Sequence, residues 1–152
     1  MRRGLIVAAA HIVLVFGVAG KLLYDRSTLP RGWVQTEPYG TELPVRGRYV
    51  QLKVNAPIRG ATDTRDYVAF TVEDGYVIAV ATDRGIPAEI SNGRAILYRS
   101  IAYFIPEHVP DPSARAAGDE LWAEVTIPKQ GLPRPIRLGV RRNGKLIPLD
   151  LE

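Results

Sequence analysis

Two patterns divide the chain. From Gly4 to Gly20 every residue is apolar except His11, and no charge interrupts the run. Beyond residue 26 apolar and polar residues alternate in short stretches separated by proline and glycine, the period-two signature of half-buried strands. The clearest is Arg48 to Asn55, which places Val50, Leu52 and Val54 on a core face and Tyr49, Gln51, Lys53 and Asn55 on the other. Further strands are predicted at 33–36, 66–72, 76–82, 94–98, 101–105, 121–127, 136–142 and 145–149. Residues 37–40, 56–64 and 84–93 are predicted as turns or loops, and a short helix is expected near 113–117. Asp74-Gly75 and Asn143-Gly144 supply the positive backbone angles of tight hairpins. The expected fold is mainly β, a small β-barrel or β-sandwich preceded by one N-terminal transmembrane helix.

The apolar run sets the organisation. At 1.5 Å per residue, 4–20 spans roughly 25 Å, and Leu22-Leu23 beyond a snorkelling Lys21 bring it to about 30 Å, the bilayer core. The competing assignment is a cleaved signal peptide ending at Val18-Ala19-Gly20. The run is long for such a segment and continues into Leu22, Leu23 and an interfacial Tyr24, which favours an anchor. The expected division is an anchor at 1–26 and an exported β domain at 27–152. Arg2 and Arg3 ahead of the span place the N-terminus in the cytoplasm, the span in the inner membrane and the domain in the periplasm or outside. His11, with no acidic partner in the span, reads as a neutral histidine facing another helix rather than a proton relay.

Charge narrows the partners. The chain has 152 residues and net charge +4, but Arg2, Arg3, Lys21 and Arg26 against Asp25 account for most of it. The exported part is nearly neutral, which removes electrostatic support for nucleic-acid binding. Cysteine is absent, excluding disulfides, thiolate metal sites and a cysteine nucleophile.

Candidate chemistry is sparse. His108 follows Glu107 directly, with Asp111 nearby. Strand neighbours point to opposite faces, so a solvated loop outweighs a metal site, and neither metal nor cofactor is expected. The few serines lack a general-base context. The strongest local feature is cationic: Lys129, Arg134, Arg137, Arg141, Arg142 and Lys145 occur without an intervening acid. Arg137 and Arg141 share a strand face with Gly139 and would suit anionic headgroups or an acidic partner. The plainer alternatives are an arginine-protected edge strand, or pairing with Glu89, Glu107 or Glu124.

The segment Gly47-Arg48-Tyr49-Val50-Gln51-Leu52-Lys53-Val54 resembles the naming motif of the GDYXXLXY-domain family of membrane-anchored proteins. Gly47, Tyr49 and Leu52 match, while Arg48 replaces the aspartate and Val54 the final tyrosine. The lead Pro38 to Arg46, the segment Tyr103-Phe104-Ile105-Pro106-Glu107 and the closing strands around Asn143-Gly144-Lys145-Leu146 extend the resemblance over nearly the whole chain. It implies an anchored, exported domain, often encoded beside polytopic membrane proteins, and supplies no catalytic residues. The function expected is an accessory module contacting another membrane or envelope protein. The alternative is an envelope enzyme or small-ligand binder using a polar barrel mouth near Arg48, Glu107 and His108. Residues expected at a ligand or partner surface are Arg48, Tyr49, Glu107, Arg137, Arg141 and Arg142, with Tyr49 beside the closing strands and Leu52 in the core.

Overall fold

The structure, a computed structural model, describes residues 2–42, 48–60, 67–106, 108, 109, 111, 112, 116 and 118–150. The helix α1 (Arg2–Thr28) contains the apolar run and extends two residues past position 26. Within it Ile6–Asp25 is long and apolar enough to cross a membrane, and none of that stretch is buried against the rest of the chain. Nδ1–H of His11 donates to the Val7 carbonyl at 2.8 Å, so one ring nitrogen of the run's single polar side chain is satisfied within its own helix. The hydroxyls of Ser27 and Thr28 both donate to the Tyr24 carbonyl, and the Leu29 amide donates to Asp25. Pro30 disfavours helical geometry at Leu29 and ends the helix. Only Leu29 and Pro30 separate α1 from the first strand.

Ten strands follow: β1 (Arg31–Glu42), β2 (Arg48–Arg59), β3 (Tyr67–Glu73), β4 (Tyr76–Ala81), β5 (Ile86–Ser91), β6 (Arg94–Leu97), β7 (Ile101–Ile105), β8 (Glu120–Thr126), β9 (Arg134–Arg142) and β10 (Lys145–Pro148). β1 and β2 are long and antiparallel, paired from Gln35↔Asn55 to Glu42↔Tyr49. Toward the start of β1 and the end of β2 the two strands separate, and β4 enters between them through Trp33↔Tyr76 and Ile58↔Ala79. The circuit β1-β4-β3-β5-β6-β2 closes into a six-stranded barrel. Outside it, β8, β9 and β10 continue as a meander from the free edge of β1, and β7 flanks β2. β7 and β9, from opposite sides of this extension, curl into contact.

The alternation in β2 is realised: Val50, Leu52 and Val54 are fully buried. They belong to one core cluster with Val68, Val77, Ala88, Leu97, Leu121 and Leu138. Asn55 keeps the face expected for it, opposite Gln35, but is buried there, because its amide is enclosed in a polar network described below.

Four expectations are corrected. The loop expected at 56–64 begins later, because β2 continues through Arg59, paired with β6 and β4. Glu37 to Gly40 is not a turn: β1 runs through Pro38, and a bulge between Pro38 and Gly40 accommodates the extra Tyr39. The predicted loop at 84–93 contains β5, zipped between β3 and β6; its turn at Asn92 (φ 52°) and Gly93 (φ 72°) is a third tight hairpin like those at Asp74-Gly75 and Asn143-Gly144. Tyr49 lies beside Phe104 of β7, not the closing strands, since the β2–β7 register pairs 48–52 with 105–101. Their rings meet edge-on at 5.5 Å. The short helix expected near 113–117 falls largely outside the described residues.

Candidate functional site: an arginine–tryptophan groove

Strand register assembles the site. β8 pairs with β1 through Trp33↔Glu124 and Gln35↔Trp122. It pairs with β9 through Glu120↔Arg141, Trp122↔Gly139 and Glu124↔Arg137. Directly opposed residues share a face of an antiparallel pair. One face of this three-stranded patch therefore carries Trp33, Gln35, Glu120, Trp122, Glu124, Arg137, Gly139 and Arg141.

Gly139 makes room for the aromatics. A Cβ there would lie 2.8 Å from Cζ3 of Trp33, so the indole occupies the space a side chain would fill. The Trp33 amide donates to the Gly75 carbonyl at 2.8 Å, fixing the β3–β4 turn against β1 and delivering Tyr76. Tyr76 meets Trp122 edge-on at 5.8 Å. The Arg141 guanidinium lies 4.3 Å over the Trp122 ring and 5.6 Å over Tyr76, and its Nη2 donates to the Tyr76 hydroxyl at 3.3 Å. Arg137 lies 5.3 Å over Trp33.

A third arginine, Arg94, enters from the barrel side. Nη2 of Arg94, at the start of β6, donates to Oε1 of Gln35 and to the Asn55 carbonyl, both at 2.7 Å. Its Nε donates to Oδ1 of Asn55, whose Nδ2 donates to Glu37 at 2.9 Å. Between Arg94 and Arg141 opens a groove of about 380 Å³, walled by Trp33, Trp122, Tyr76, Val77 and Pro57.

The electrostatics are uneven. Arg137 pairs with Glu124 at 2.6 Å, Arg142 with Asp119 through two bonds of 2.6 and 2.9 Å, and Arg59 with Glu73 at 2.7 Å. The hydrogen bond to Asp119, and then its charge, raise the Arg142 pKa above its ordinary value. Among the described residues no carboxylate forms a salt bridge with Arg94 or Arg141. Glu120 faces Arg141 across the ladder, but its carboxylate accepts from the Trp122 indole at 3.0 Å. Nε of Arg141 is buried and bonded to nothing.

The six residues singled out from the sequence do not converge. Arg48 stands opposite Ile105, with its side chain outside the described residues, as is Glu107 entirely. Tyr49 lies six residues along β2 from Asn55, about 20 Å away at strand rise. Arg137 and Arg142 are neutralised, Arg137 by the Glu124 that the plainer alternative named. β10 pairs with β9 along Gly139–Arg142, so Arg141 and Arg142 do not guard a sheet edge, whereas Arg134 and Arg137 lie on the part of β9 that β10 does not pair with. Of the six, Arg141 reaches the groove. The sequence reading missed Trp33, Tyr76, Arg94, Glu120 and Trp122. A signal for them was present: a glycine within an arginine-bearing strand face marks a close approach, and Trp122 sits on the polar side of an otherwise clean alternation.

No family model, no curated protein and no solved structure matches the chain.

Proposed function

We propose that this is a single-pass membrane protein whose β domain, on the extracytoplasmic side of the inner membrane, serves as an accessory module for another membrane or envelope protein. One observation carries the reading: no residue of the apolar stretch Ile6–Asp25 of α1 is buried against the rest of the chain, and only its last turn, at Leu22 and Asp25, comes near the β domain. A helix apolar around its whole circumference needs a lipid or protein environment. The flanking Arg2-Arg3 supports a cytoplasmic N-terminus. The resemblance to the GDYXXLXY-domain family supports the same arrangement and is proposed with it.

After alkaline carbonate washing the full-length protein stays in the membrane pellet, and a C-terminal alkaline phosphatase fusion is active. Recovery of a mature soluble form beginning near Lys21 would overturn the anchor. Detergent-solubilised pull-down followed by mass spectrometry identifies the partner; a purification that returns no membrane or envelope protein counts against the accessory role. The second reading, a small-ligand binder, draws support from the groove rather than from Arg48, Glu107 and His108.

A further inference from the structure

We propose that the groove between β1, β4, β6, β8 and β9 binds a small organic oxyanion, a single carboxylate or phosphate group carried on a flat apolar body. The inference does not depend on the anchor.

Charge supplies the first argument. Arg59, Arg137 and Arg142 each hold a carboxylate, whereas Arg94 and Arg141 line the groove half-buried and without an ion pair among the described residues. A guanidinium removed from water without a counter-charge is unfavourable, and an entering oxyanion relieves that cost through charge-assisted hydrogen bonds. The buried, unpartnered Nε of Arg141 is a second and independent sign of a missing acceptor.

Preorganisation supplies the next. Arg94 is held by Gln35 and Asn55, and Arg141 by the Trp122 and Tyr76 rings. Neither long side chain must lose much rotamer freedom when a ligand arrives, so little of the interaction is spent on ordering. Size and lining complete the case. The volume of about 380 Å³ falls in the small-molecule range, and the aromatic and aliphatic walls suit a planar apolar group. Glu120, exposed at the same groove, disfavours a second anionic group, selecting a single oxyanion group over a polyphosphate or nucleic-acid backbone.

The chain's two tryptophans, Trp33 and Trp122, both line the groove, so intrinsic fluorescence reports directly on it. The full chain in detergent micelles is titrated with phenyl phosphate and with benzoate, and with benzyl alcohol as the uncharged comparison. A saturable fluorescence change is expected with at least one of the two anions, with benzyl alcohol at least about tenfold weaker. Arg141→Gln weakens the anion by about tenfold or more, while Arg142→Gln, outside the groove, leaves it unchanged. Circular dichroism verifies that each variant is folded. Arg141→Lys, which keeps charge but loses the planar fork, is expected to bind between the two. A non-saturating response to both anions, equal affinity for benzyl alcohol, or equal binding by wild type and folded Arg141→Gln overturns the proposal. Repeating the titration in nanodiscs of phosphatidylcholine, with and without phosphatidylglycerol, separates the sources. Competition by phosphatidylglycerol that disappears in Arg141→Gln identifies a lipid headgroup phosphate. Unchanged Arg141-dependent titration identifies a soluble anion.

Discussion

On the inner face of the β1–β8–β9 patch stand Val34, Leu121, Ala123, Val125 and Leu138, each no more than 1% exposed. On its outer face the same strands carry Trp33, Glu120, Trp122, Arg137 and Arg141. The inner residues are interchangeable in kind: each contributes apolar area removed from water, roughly 25 cal/mol per Å². The outer residues are specific in geometry, each defined by which ring or carbonyl it meets. The core thus tolerates its residues as a class, whereas the groove depends on individual pairings fixed by register.

That contrast can be broken or sharpened by substitution. The largest effect belongs to the inner face. Leu138→Ala removes a fully buried side chain and is expected to destabilise by about 2–5 kcal/mol in denaturant titration. Leu52→Ala, equally buried, falls in the same range. A midpoint shift within error at Leu138 would show that the meander contributes little to the core. The next effect is Gly139→Ala, adding one methyl to the outer face. The Trp33 ring cannot yield freely beneath Arg137, and the Ile147 carbonyl lies 3.1 Å from the new Cβ. Overpacking of this kind costs about 1–3 kcal/mol, and the tryptophan emission should move with it. Unchanged stability and emission would mean that Trp33 is not held where it stands. The smallest is Arg142→Gln. Its pair with Asp119 is bidentate; the arginine is exposed, which limits the effect, but the Asp119 side chain is only 7% exposed and loses this partner. A small destabilisation, below that of Gly139→Ala, is expected in denaturant titration; a larger drop would show that Asp119 is a structural anchor for the turn before β8.

These faces also show what the sequence disclosed. Alternation within one strand was enough to bury Leu52 and Leu121, and Asp74-Gly75 and Asn143-Gly144 were enough for two of the three tight hairpins. β5 was not read as a strand although Ile86, Ala88 and Ile90 alternate with Pro87, Glu89 and Ser91, because a proline inside a six-residue run signals a loop; its pairing comes from neighbours on both sides. Pro38 signalled a turn where a bulge absorbs it. The groove was hidden for a different reason. Trp33 and Trp122 lie far apart in the chain, and neither strand alone states the register that sets both against Gly139. The four arginines of β9 look alike in sequence, but pairing divides them: Glu124 takes Arg137, Asp119 takes Arg142, and of the four only Arg141 lines the groove.

β1 is hydrogen-bonded to β8 along Arg31–Thr36 and to β2 along Gln35–Glu42, so one strand is a wall of both the closed barrel and the meander. Neither half retains an intact edge if the other opens. Melting should therefore be a single cooperative event rather than the sequential loss of two lobes. Amide exchange offers the measure: Val34 and Thr36 should open only with Leu52 and Val54, at the free energy of global unfolding. A groove floored by such a strand inherits the rigidity of the whole domain.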